Sequence, residues 1–181
     1  MAESGASGPF KPGEDFYELP PDDPHYTRVG RVASAWARFE YEIDSVIWTY
    51  ACREDERGAC LTAQYIGPGP RFKALIALVR LEDGVSEESV NALCKLAEES
   101  GQIASRRNRI VHDSWMWGSE SYQVGRFEVT ADKRLRFGMQ AYSIEYLEDV
   151  LGQIAEIRKR FREIWIRIGD ESYEAWRKKQ P

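Results

Sequence analysis

Apolar residues recur with helical spacing over most of the chain and switch to strict alternation in one stretch, and that pattern lays out the elements. From His25 to Ala51 a stripe of Val29, Val32, Ala33, Trp36, Ile43, Ile47 and Tyr50 predicts a first long helix, with Glu40 in the middle of the stripe. The segment from Cys52 to Cys60 is charged and reads as the close of that helix. Gly67-Pro68-Gly69-Pro70 then breaks the chain and places a proline in the first turn of a second helix, Arg71 to Leu81, which carries Phe72, Leu75, Ile76, Leu78 and Val79. Ser86, followed by Glu88 and Ser89, starts a third helix that runs to about Val111. Beyond it the period falls to two: Phe127 and Val129, a turn at Ala131-Asp132-Lys133, then Leu135, Phe137 and Met139, a β-hairpin with one exposed face. Ser143, as N-cap with Glu145 behind it, opens the last helix, whose stripe of Ile144, Leu147, Leu151, Ile154, Phe161, Trp165 and Ile168 ends near Ile168.

The expected fold class is therefore all-α, an up-and-down four-helix bundle with a small hairpin inserted at about 122–141 between the third and fourth long helices. Residues 25–168 form this domain. Residues 1–24 contain Pro9, Pro12, Pro20, Pro21 and Pro24 among Gly and Ser and read as a flexible lead, whose Phe16, Tyr17 and Leu19 dock on the body of the domain. Residues 169–181 read as a polar tail anchored by Trp176.

Composition narrows the classes. A chain of 181 residues, 43% hydrophobic and 30% charged, supports one domain with a real core. Its net charge of −5 excludes a protein that coats nucleic acid by electrostatics alone, so a nucleic-acid contact has to be a local basic patch. The cluster Arg158, Lys159, Arg160 and Arg162 is interleaved with Glu156 and Glu163 and reads as a solvated face. Three cysteines, Cys52, Cys60 and Cys94, form no CxxC pair and suit reduced thiols in a cytoplasmic setting. Two histidines assemble no zinc-ligand pattern, so neither a metal nor another cofactor is expected. No apolar run reaches the roughly 18 residues of a membrane span, and no membrane partner is expected.

The third helix ends in Arg106-Arg107-Asn108-Arg109-Ile110-Val111-His112-Asp113. On a wheel of roughly 100° per residue, Val90, Leu93, Ala97, Ala104 and Val111 make one stripe, flanked by Leu96, Ile103 and Ile110. Arg106 and Arg109 fall on the solvated arc. Arg107 projects between Ile103 and Ala104, Asn108 lies near the middle of the apolar sector, and His112 lies at its edge. A buried guanidinium costs several kcal/mol unless paired or used. Either it meets a partner acid, with His112 as a helix C-cap, or this face lines a cleft or subunit interface. Glu40 is the acid predicted to approach Arg107 or His112.

Arg107-Asn108-x-x-x-His112 resembles the Arg, polar residue, His motif of the HEPN superfamily, the higher eukaryote and prokaryote nucleotide-binding helical domains, many of them RNases of toxin–antitoxin, phage-defence and RNA-processing systems. The likeness rests on this motif and on the helical architecture of residues 25–168. It implies a homodimer in which the motif helices meet at a composite cleft, an RNA substrate, and an antitoxin or regulatory partner. Metal-independent RNA cleavage needs a base for the 2′-OH proton, an acid for the 5′-oxygen and a cation for the phosphorane charge. The resemblance accordingly implies His112 as acid/base, Arg107 as electrostatic stabiliser, Asn108 as an organiser hydrogen-bonding His112 and Glu40 in support. Some relatives carry Tyr two residues after the His as a target of nucleotide transfer; Ser114 stands there, and that regulation is not carried over. A catalytically silent RNA- or protein-binding scaffold is the alternative, as is a purely structural Arg107–Glu40 pair. His25, after Pro24, reads as a loop or cap residue.

Overall fold

A computed structural model describes residues 10–51, 54–131 and 135–180. Among these the elements are β1 (Phe16–Glu18), α1 (Pro24–Ala51), α2 (Asp55–Thr62), α3 (Pro68–Val79), α4 (Glu87–His112), β2 (Trp115–Gly118), β3 (Val124–Ala131), β4 (Leu135–Ala141) and α5 (Ile144–Lys178). They fall into two compact units, Met1–Ser34 with Arg106–Gly152, and Ala35–Ser105 with Gln153–Pro181, whose boundaries lie inside α1, α4 and α5.

The expectation of an all-α four-helix bundle with one hairpin is overturned by a four-stranded antiparallel sheet of order β1-β2-β3-β4 in the first unit. The hairpin is only half of it. β2 pairs Trp115 with Arg126 and Trp117 with Val124, and β1 pairs Tyr17 with Trp117. Part of the expected flexible lead is thus a strand, tied down by Glu14, whose carboxylate accepts from the backbone N–H groups of Lys11, Ser121 and Glu120 at 2.8, 2.9 and 3.2 Å. Gly125 permits the close packing here: a Cβ at that position would strike the Gln140 carbonyl and the ring of Phe10.

In β3 the polar face is the one turned inward. Arg126 and Glu128 are buried, whereas Val129 and its cross-strand partner Phe137 are exposed. Alternation fixes which residues share a face, and a one-residue difference in register reverses which face is covered. The turn predicted at 131–133 lies, apart from Ala131, outside the described residues, as do Pro9 and Cys52.

The second unit is helical. Trp36, Phe39, Ile43, Phe72, Leu75, Leu93, Leu96, Ile154, Phe161 and Ile168 fill its core. Phe39, Phe72 and Phe161 meet edge to face or tilted, with centroids 5.9 to 6.2 Å apart. α2 occupies part of the segment expected only to close the first helix. Its apolar signal is slight, because the residues it buries are Gly58 and Thr62. Thr62 accepts from the Trp48 indole N–H at 2.9 Å, and Gly58 lies against that ring so closely that a Cβ would stand 2.6 Å from it. α5 continues beyond Ile168 to Lys178, and the extension has a job. Glu171 accepts from the Ser86 backbone N–H and from the Ser86 and Ser89 hydroxyls at 2.8 to 2.9 Å, capping the start of α4. Burial works against the Glu171 carboxylate, and these hydrogen bonds outweigh it, holding its pKa below the ordinary value.

Candidate functional site

The motif closes α4 in the first unit. Along this helix the buried residues are Ser89, Val90, Leu93, Leu96, Ser100, Ile103, Ala104 and Ile110, so the covered face keeps Val90, Leu93 and Ala104 of the predicted stripe and leans toward Leu96, Ile103 and Ile110. Ser100 lies on this face: its hydroxyl donates to the Leu96 carbonyl at 2.7 Å, which lets a polar residue sit fully buried in mid-helix. Arg107, expected inside the buried sector, is half-buried, as are Arg106 and Arg109, which were placed on the solvated arc; Asn108 and His112 face solvent. Asn108, placed by the wheel near the middle of the apolar sector, is exposed.

Arg107 and Asn108 are brought together, with Arg107 Nη1 donating to Asn108 Oδ1 at 3.0 Å. Arg107 Nε is buried without an acceptor. Asn108 thus organises the arginine, where a hydrogen bond to His112 was expected; among the described residues the His112 side chain makes no hydrogen bond. Glu40 is engaged elsewhere. It lies 3.7 Å from Arg71 in the second unit, where Arg71 also grips Asp44 through two hydrogen bonds of 2.9 and 3.1 Å. Arg71 also donates to the Tyr65 and Gly67 carbonyls at 3.0 Å, and Glu40 is paired there, so the pairing of Glu40 with Arg107 or His112 is not the one seen. Burial raises the Asp44 pKa against the opposing pull of Arg71. His25, expected as a loop or cap, is buried in the first turn of α1, with Nδ1 2.8 Å from Asp23 and its ring 5.7 Å from that of Trp115.

Behind the motif lies a charge cluster that the periodicity did not single out. Arg126 is fully buried. Its Nη2 donates to Glu128 Oε1 at 3.1 Å, its Nη1 lies 3.6 Å from Asp113, and its guanidinium stacks 4.1 Å above the Tyr142 ring. Glu128 also accepts from the Tyr142 hydroxyl at 2.7 Å and from Arg109 at 3.4 Å. Two cations balance two acids, the condition under which such burial is tolerated. Burial nevertheless raises the Asp113 pKa; Arg126 pulls it down and Glu128 pushes it up. Trp115 anchors the cluster to the helix end by donating its indole N–H to the Ile110 carbonyl at 2.8 Å. The available signal was the i,i+2 spacing of Arg126 and Glu128, which places opposite charges on one face of a strand.

Beside the helix end is a cavity of about 480 Å³, lined in part by Val111 and Asp113, the neighbours of His112. The basic run Arg158–Arg162 is spent on pairing, Arg158 and Arg162 with Glu42, Arg160 with Glu99 and Lys159 with Glu163. Of the cysteines, Cys60 is exposed and Cys94 half-buried, both as free thiols. Among the described residues no group of three or more His, Cys, Asp or Glu is placed to hold a metal ion, and no helix is long and apolar enough to cross a membrane. Comparison with protein families, with characterised proteins and with solved structures finds no match for this chain.

Proposed function

We propose that the chain is a metal-independent endoribonuclease of HEPN type, acting as a homodimer in which two motif helices share one cleft. The observation that carries this reading is the state of the motif: His112 exposed on the last turn of α4, about 1.4 turns beyond a half-buried Arg107 held by Asn108. An exposed imidazole is free to exchange protons with substrate, and a guanidinium with a buried, unsatisfied Nε favours an anion. One histidine acts as base or acid, not both at once in a concerted transfer. Two chains supply both groups and a second cation.

On this reading one His112 takes the 2′-OH proton as that oxygen attacks phosphorus, its counterpart protonates the departing 5′-oxygen, and Arg107 stabilises the charge on the phosphorane. Asn108 fixes the guanidinium in orientation. Glu40, committed to Arg71, takes no part. The Arg126 cluster serves as the rigid backing that positions the end of α4.

Light scattering of the purified chain at micromolar concentration tests the assembly, and a dimer mass is expected. The same preparation should cleave single-stranded RNA in excess EDTA and leave DNA of the same sequence intact, since DNA lacks the attacking hydroxyl. A monomer mass removes the composite site. A dimer without cleavage leaves a silent RNA- or protein-binding domain.

A further inference from the structure

The cavity beside His112 has a chemistry of its own, and it lies wholly within the first unit. Its walls include Glu18, Tyr26, Val29, Val111, Asp113 and Met116, and its volume of about 480 Å³ falls among small-ligand sites. Resting on the nuclease reading, we propose that it is a base pocket that selects guanine, with Glu18 reading the base edge and Tyr26 providing the stacking surface.

Position comes first. Val111 and Asp113 flank His112, and adjacent Cα atoms stand about 3.8 Å apart. A nucleotide whose base sits between those walls has the end of α4, and with it His112, within reach of its phosphate.

The walls also reject some ligands. Two carboxylates line the cavity, and the arginines of the motif lie on the helix that ends beside it. A phosphate is repelled from the cavity and drawn to the helix end; a ligand that presents hydrogen-bond donors is accepted. The two carboxylates are not equivalent. Asp113 is tied to Arg126. Glu18 is exposed, and among the described residues its side chain enters no ion pair or hydrogen bond, while its backbone is held in register opposite Met116. Glu18 therefore offers two unclaimed acceptor oxygens on a fixed strand.

One base matches Glu18 best. Guanine carries two parallel donors, N1–H and the 2-amino group, which suit both oxygens of a carboxylate. Adenine and cytosine each set one amino donor beside an acceptor nitrogen, and uracil flanks its single N–H with carbonyls; each turns a lone pair toward the carboxylate. Stacking falls to Tyr26. Trp115, Trp117 and Tyr142 are already in ring contacts, whereas the half-buried Tyr26 has no ring partner among the described residues. Only an unpaired base can enter, which makes the substrate single-stranded.

Titration calorimetry of the full chain with GMP, AMP, CMP and UMP tests the pocket apart from catalysis. GMP should bind at least about 10-fold more tightly than the others, the discrimination of a good bidentate contact. Glu18→Gln should reduce GMP to the level of AMP, and Tyr26→Leu should weaken GMP by about 10-fold through lost stacking. Circular dichroism establishes that both variants are folded; Glu18→Gln, on an exposed side chain, remains decisive if Tyr26→Leu is not. Equal binding of the four nucleotides, no binding, or GMP selectivity unchanged in Glu18→Gln overturns the pocket. Cleavage mapped on mixed-sequence RNA separates the two readings. Cutting beside guanines supports both, and cutting without base preference and without GMP selectivity removes the pocket and leaves the nuclease. Selective, Glu18-dependent GMP binding without cutting keeps the pocket and removes the nuclease.

Discussion

Replacing His112 with alanine should lower RNA cleavage by about 10²- to 10⁴-fold, the usual effect of losing a general acid or base, while leaving the urea midpoint unchanged. The separation of activity from stability follows from its setting. His112 is exposed and hydrogen-bonded to nothing among the described residues, so its loss opens no cavity and breaks no hydrogen bond. Surface substitutions of that kind stay within about ±0.5 kcal/mol. Arg107→Ala should also inactivate, but it removes the hydrogen bond to Asn108 and part of a buried surface, and a stability change would accompany the loss. His112 is the cleaner test for that reason. A folded His112→Ala chain that cleaves at the parental rate would leave the imidazole without a role.

Arg126→Met should cost about 3–5 kcal/mol in urea or thermal unfolding, the range found when one partner of a buried ion pair is removed. The guanidinium is fully buried between Asp113, Glu128 and the Tyr142 ring. Methionine fills much of its volume, so the loss reports charge more than packing. What is stranded is Glu128, itself buried, with Arg109 at 3.4 Å as its remaining cation. Adding Glu128→Gln should recover a substantial part of the stability, because it removes the orphaned charge. An Arg126→Met chain as stable as the parent would show that the cluster does not support the first unit.

These residues also mark where sequence reasoning reached and where it stopped. α1, α4 and the start of α5 were legible because a helix of many turns repeats one local pattern, and Trp36, Ile43 and Leu147 carry it without reference to the rest of the chain. β1 and β2 were not. Each is three or four residues long, and the strands pair across roughly a hundred residues, Tyr17 with Trp117, which leaves no trace in a local window. The β3–β4 hairpin was visible as alternation, but alternation does not say which face is covered, and the buried Arg126 and Glu128 went unnoticed beside Phe127 and Val129. The Arg107-Asn108-x-x-x-His112 pattern was read on a helix that forms, whereas the partners expected for its polar residues differ. Ser100, polar yet fully buried, lies on the covered face of α4 while Asn108 faces outward, and Arg71, read only as the start of a helix, pairs with Glu40. Both errors concern polar residues inside the fold, where partners distant in sequence decide the outcome.

The most direct test of the central claim is the chemistry of the ends left on RNA cut by the purified chain in excess EDTA. Attack by the substrate's own 2′-OH predicts a 2′,3′-cyclic phosphate on one fragment and a 5′-hydroxyl on the other, with both products lost in His112→Ala. A 5′-phosphate with a 3′-hydroxyl, cleavage abolished by EDTA, or the same products at the same rate from folded His112→Ala would contradict the account.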